Sequence, residues 1–207
     1  MLPVEHLPCT ESLEASVILL HGYAASAAIQ RVDGQTFVSS CSEVVIPDAP
    51  GHGLREDGRI EYIAALADEQ RVSAIIEIAR EWVKELLDHA AACRERGAIR
   101  VGVVGISMGG FAALGTLSQA STFDAVAAVL AAPTLVDNAA MPANIPPVML
   151  GIAGKDSAVR PEAGRQFARD HGVELHEYPE SEHLMRSEDW RNLWGHTAAF
   201  MRRHLLR

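Results

Sequence analysis

The run VGVVGISMGGFAALGTL, from Val101 to Leu117, contains Gly105-Ile106-Ser107-Met108-Gly109, a G-x-S-x-G pattern. A β-branched apolar run, Ile99 to Val104, feeds the serine, and a small-residue helical run, Phe111 to Leu117, follows it. The motif therefore sits in the strand-turn-helix setting that a nucleophile elbow requires. A serine hydroxyl is a poor nucleophile until a sharp turn holds it beside a general base, and flanking glycines leave room for that turn. Ser107 is the lead candidate for a covalent nucleophile; the plain alternative is a Gly-rich turn between a buried strand and a helix.

A nucleophilic serine needs a base, and the base needs a group that orients it. In strand-turn-helix sites of this kind the chain order is Ser, then Asp or Glu, then His, each after the C-terminal end of a strand. Asp156, in GKDSAVRPE, follows the apolar run VMLGIAG, and His183, in YPESEHLM, lies just beyond VELHEY. Asp137, in the Pro-rich segment between two apolar runs, is the competing orienter. Among the other histidines, His89, His171, His196 and His204 fall on or at the ends of helical runs and His176 inside a strand, positions typical of packing or surface residues. His21 and His52 lie in Gly-flanked loops at strand ends, but neither follows the acid, so both are expected to shape loops near the site.

Acyl transfer to serine builds negative charge on the carbonyl oxygen, and two preorganised donors must face it. The backbone N–H of Met108, directly after the serine, is one. His21-Gly22-Tyr23, directly after the run SVILL, places the backbone N–H of Tyr23 as the second, with the Tyr23 ring as a wall of the acyl pocket.

These residues need a scaffold that brings the ends of several strands together. Apolar runs at 16–20, 43–46, 99–104, 125–130, 147–152 and 173–178 read as strands. Helical patterns at about 27–39, 68–96, 108–119, 161–171 and 187–205 separate them. The alternation predicts an α/β three-layer sandwich, a mostly parallel sheet with helices on both faces. Along the longest helix, Val72, Ile75, Ile76, Ala79, Trp82, Val83, Leu86 and Leu87 recur at intervals of three and four and are read as core, with Glu81, Lys84 and Glu85 on the solvated side. Residues 133–147, PTLVDNAAMPANIPP, replace a crossover helix.

At 207 residues the chain suits one domain, 1–207, rather than two. Its net charge of −9 comes with scattered Lys and Arg, which argues against a nucleic-acid partner. No apolar stretch reaches the length of a membrane span, and the N-terminal MLPVEHLPCTESLE lacks the basic and apolar regions of a signal peptide, so the expected location is cytoplasmic. Three widely spaced cysteines, Cys9, Cys41 and Cys93, read as reduced thiols. The histidines show no short metal-ligand spacing, so neither metal nor cofactor is expected. Nothing specifies an oligomeric state.

With HGYAAS, PDAPGHGLR, GISMGG, the GKD loop and SEHL in this order, the chain resembles the α/β-hydrolase superfamily from about Val17 to the final helix. PDAPGHGLR with GISMGG is similar to small bacterial serine esterases related to the prolyl oligopeptidase and dienelactone hydrolase branch. The resemblance implies Ser107 as nucleophile, Asp156 as acid, His183 as base, and Tyr23 and Met108 as oxyanion donors. It implies ester hydrolysis through an acyl-enzyme, with thioesters or peptides as neighbouring substrates and an acyl transferase or binding protein as the competing class. The crossover at 134–147, too short for a helical cap, adds the expectation of short-chain carboxylic esters. The chain departs from the family's usual pattern at Ser157, where Pro is common, and at Glu182, where small residues are. Only about fifteen residues stand in place of the two N-terminal strands, so a trimmed sheet of roughly six strands with a minimal cap is expected.

Overall fold

In the computed structural model, which describes residues 3–8, 14–39, 41, 43–119 and 122–206, the apolar runs form strands β2 (Ala15–Leu20), β3 (Glu43–Pro47), β4 (Arg100–Ile106), β5 (Ala125–Val129), β6 (Val148–Ala153) and β7 (Glu174–Tyr178). An additional edge strand, β1 (Val4–Pro8), pairs antiparallel with β3, so the described sheet has seven strands in the order β1-β3-β2-β4-β5-β6-β7 and is otherwise parallel. This is one strand more than the sequence led us to expect. VEHLP carries no aliphatic run because an edge strand buries little, and here Leu7 alone is fully buried.

The helices are α1 (Ala27–Gly34), α2 (Arg59–Ala64), α3 (Asp68–Glu95), α4 (Met108–Gly115), α5 (Pro161–His171) and α6 (Ser187–Leu205). Tight 3₁₀ turns extend α1 to Phe37 and α4 to Ser118, so both α-helices stop short of the apolar pattern that announced them. The central strands are buried on both faces. Ile18 and Leu20 pack into the layer of α3, α4 and α5, whereas Val17 and Leu19 pack into the layer of α1 and α6.

Helix α3, 28 residues and roughly 42 Å long, buries Ile78, Ala79, Trp82, Val83, Leu86, Ala90 and Cys93. Trp82 is fully buried, and truncating such a side chain costs about 3–5 kcal/mol. The predicted stripe fails at its beginning: Val72 is 48% exposed and Ile75 half-buried, because the first turns of α3 flank a cavity instead of covering the sheet. Glu81 and Glu85 are not idle solvent groups either. Glu85 forms a two-pronged pair with Arg55 at 2.7 and 2.8 Å, and Glu81 pairs with Arg59 at 2.8 Å.

No helix among the described residues is long and apolar enough to cross a membrane. Cys41 and Cys93 are buried, with Cys41 Sγ donating to the Phe37 carbonyl at 3.2 Å, and Cys9 lies outside the described residues.

Candidate active site

Strand β4 ends at Ile106 and α4 begins at Met108, so Ser107 alone makes the turn, with φ +51° and ψ −111°. A non-glycine residue in that region stores about 1–3 kcal/mol of strain. The turn depends on close backbone passage at Gly105 and Gly109. A Cβ on Gly105 would lie 2.1 Å from the Gly109 carbonyl oxygen, and one on Gly109 would lie 2.7 Å from both Leu20 Cβ and the His21 carbonyl oxygen. The Ser107 N–H donates to the Val129 carbonyl at 2.8 Å and Phe111 N–H to the Ser107 carbonyl at 2.9 Å, which pins both sides of the elbow.

His183 and Asp156 converge on this serine from loops that follow β7 and β6. Ser107 Oγ lies 3.0 Å from His183 Nε2, and His183 Nδ1 lies 2.7 Å from Asp156 Oδ2. A buried carboxylate accepts at Nδ1–H, so the bare Nε2 faces the hydroxyl and can take its proton. The Asp156 side chain is 1% exposed, and its other oxygen accepts the N–H groups of Ala158 and Val159 at 2.9 and 2.8 Å. Those bonds hold the carboxylate whether or not Pro follows it, so Ser157 does not disturb the loop. The two loops are tied to each other as well. Gly154 N–H donates to the Tyr178 carbonyl at 2.8 Å and Lys155 N–H to the Ser181 carbonyl at 2.9 Å, while the Lys155 ammonium pairs with Glu180.

Asp137 is elsewhere. It is exposed, and its N–H donates to Ser118 Oγ at 2.9 Å at the end of α4. His171 packs on Phe167, and His176 stacks on His196 at 4.1 Å beside Glu174.

The backbone N–H groups of Tyr23 and Met108 have no protein acceptor among the described residues. Gly22 brings the first of them alongside the elbow, since a Cβ on Gly22 would stand 3.7 Å from Ser107 Cβ. Tyr23 is anchored by its hydroxyl, which donates to the Ile60 carbonyl at 3.0 Å. Behind this loop lies the segment PDAPGHGLR. Buried Asp48 accepts from Ala27 N–H at 2.8 Å and Leu54 N–H at 3.0 Å, joining the start of α1 to the turn that follows β3. His21 is fully buried between the rings of His52 and Trp82, and its pKa is pushed down to about 4 by burial. His52 is likewise lowered by burial. Both histidines shape the loop, as their positions suggested, and neither lines the cavity.

The cavity at Ser107 has a volume of about 730 Å³, within the range of small-molecule sites. Val72, Ile75, Phe111 and Val159 line it from the α3–α4 side. Gln30, Asp33, Trp190 and Arg191 line it from the α1–α6 side, with Leu184 and Met185 following His183. Sequence reasoning missed Val72 and Ile75 because their spacing is that of a core stripe. None of residues 134–147 lines the cavity, so the walls come from α3 and α6 and not from the crossover.

No curated protein matches this chain. Among solved structures, esterase PE8 aligns at 22% identity with a TM-score of 0.72, covering 97% of this chain and 98% of its own. A cold-adapted esterase from an Arctic intertidal metagenomic library aligns at 19% identity and TM-score 0.63, covering 95% and 85%. Est1E from Butyrivibrio proteoclasticus, solved with ferulic acid, aligns at 14% identity and TM-score 0.68, covering 99% and 96%. At these identities the likeness is one of fold. The model of the alpha/beta hydrolase family matches residues 17–202, nearly the whole chain with the elbow and both converging loops inside it, and the chain belongs to that family.

Proposed function

We propose that the chain is a serine hydrolase of short-chain carboxylic esters. The reading is carried by one observation, the unbroken relay from Ser107 Oγ through His183 to buried Asp156 at 3.0 and 2.7 Å. In this mechanism Ser107 Oγ attacks the acyl carbonyl while His183 Nε2 takes its proton. The oxyanion is met by the N–H groups of Tyr23 and Met108, and His183 then returns the proton to the departing alkoxide. Water, deprotonated by the same imidazole, attacks the acyl-serine and releases the acid. Asp156 keeps its charge throughout, holding the tautomer and stabilising the imidazolium. No step calls for a metal or cofactor, and the substrate is a small-molecule ester free in solution. Esterases are among the solved structures of like fold.

Labelling with a fluorophosphonate probe tests this directly. The expected result is a single adduct on Ser107, lost in Ser107→Ala together with hydrolysis of p-nitrophenyl acetate. Full turnover in Ser107→Ala would overturn the proposal.

A further inference from the structure

The two sides of the cavity differ in chemistry, and the difference points to the leaving group. The α3–α4 side is apolar, with Val72, Ile75, Phe111 and Val159. On the α1–α6 side, Asp33 accepts Gln30 Nε2 at 2.6 Å and the Trp190 indole N–H at 3.3 Å. These bonds fix the carboxylate but use only part of its capacity, since its two oxygens together offer about four lone-pair sites. Arg191 donates its Nε to the Ser187 carbonyl at 3.2 Å. Among the described residues neither Asp33 nor Arg191 is in an ion pair, although both line one wall of one cavity. Burial pushes the Asp33 pKa up, as expected of a half-buried carboxylate that no cation neutralises.

A cavity wall that holds an acceptor and a donor apart, beside the ring of Trp190, fits a neutral group able both to donate and to accept. An ammonium would meet Asp33 but be repelled by Arg191, and a carboxylate the reverse. Hydroxyl groups satisfy both, and the apolar C–H face of a sugar or polyol fits against an indole. His183, Leu184, Met185, Ser187, Trp190 and Arg191 all line the one cavity, so the segment that carries the imidazole, the group that protonates the departing oxygen, continues into this wall. We infer that the leaving group is a polyhydroxylated alcohol, so that the chain deacylates acylated sugars or polyols, with Asp33 and Arg191 setting specificity for the alcohol and the α3–α4 wall taking the acyl chain. The inference rests on the ester hydrolase reading above.

The test compares kcat/KM for monoacetylated glucose and for ethyl acetate, which share the acyl group, in the wild type, Asp33→Asn and Arg191→Gln. Arg191 is exposed, so its variant folds even where Asp33→Asn, which also holds Trp190, does not. The expected preference for the sugar ester is at least about tenfold, the worth of a hydrogen bond to a charged group, and it falls toward one in the variants. Turnover of ethyl acetate with no preference for the sugar ester in the wild type would overturn this inference alone, as would a preference that survives in Arg191→Gln. Faster cleavage of O-acetylserine than of the sugar ester would assign the wall to a zwitterionic alcohol instead. Failure to cleave any ester, with Ser107 unlabelled, would overturn the hydrolase reading and this one with it.

Discussion

The Ala49 N–H donates to Nε2 of His21 at 3.0 Å, and Nδ1 of the same ring lies 2.8 Å from the Gly22 carbonyl oxygen. Together these bonds require a neutral imidazole with its proton on Nδ1, because a protonated Nε2 would confront the amide hydrogen of Ala49. One buried ring thus fastens the loop that carries Tyr23 to the segment that follows β3.

This neutral state makes stability depend on pH. With the folded pKa pushed down to about 4 and a reference value of 6.5, the unfolded chain takes up the proton first as pH falls. Stability is therefore full above the reference value and lost progressively down to the folded one, by about 3 kcal/mol for this residue. His52 and His89, both lowered by burial, act in the same direction. Urea unfolding of the wild type and His21→Gln between pH 7 and 4 checks this. The variant is expected to be less stable at pH 7, with a deficit that shrinks toward pH 4, and a constant deficit would contradict it.

Two glycines at the site are predicted to behave oppositely. Gly105→Ala drives a Cβ to 2.1 Å from backbone oxygen and should destabilise the fold by about 3 kcal/mol or more. Gly22→Ala places its methyl in ordinary contact, 3.7 Å from Ser107 Cβ, on the wall of the cavity. It should melt like the wild type yet lose about tenfold in kcat/KM, since the methyl occupies space beside the nucleophile where the acyl carbon must sit. Calorimetry and ester assays on the pair separate the effects; a Gly22→Ala protein with unaltered kinetics would deny this loop its place at the oxyanion.

Asp156→Asn keeps the size of the side chain but replaces the acceptor that holds Nδ1–H, favouring the wrong tautomer of His183. A fall in kcat of about 10⁴, as in the serine protease template, is expected, whereas Asp137→Asn should leave kcat unchanged because that residue sits on Ser118. Steady-state kinetics on p-nitrophenyl acetate reads both, and the reverse ranking would move the orienting role to Asp137.

Much of this was legible in the sequence where one force dominates. Helices α5 and α6 run over the residues their patterns predicted, α5 with Pro161 at its first turn, because an amphipathic run and a terminating signal agree. Ser107 was marked by its motif, and the approach of Asp156 and His183 to it was legible in their order after strand ends, since a parallel sheet sends the loops after its strands to one edge. Elements with little burial left weaker traces. Strand β1 has one fully buried side chain, and α2 has Ile63 as its only buried residue. The cavity walls were hidden for the opposite reason. Val72 and Ile75 continue the periodicity of a core stripe, and Asp33 and Trp190 are 157 residues apart in sequence. No local pattern distinguishes an apolar residue that faces a neighbour from one that faces a void.

The acyl-chain preference should follow those walls. Because none of residues 134–147 lines the cavity, an acyl group seated as proposed against the α3–α4 side, where Val72 is 48% exposed, keeps its far end wet. Each methylene gains about 0.8 kcal/mol, roughly fourfold in kcat/KM, only where it leaves water, so added carbons soon contribute nothing. Activity is therefore expected to favour acyl chains of roughly two to six carbons, with no jump in rate at the substrate's solubility limit. Ile75→Ala deepens the apolar side and should move the optimum toward longer chains by one or two carbons, at the expense of the shortest esters. A series of p-nitrophenyl esters of increasing chain length measures both proteins. If kcat/KM keeps rising to ten carbons in the wild type, or if Ile75→Ala leaves the profile where it was, the acyl group does not lie against α3.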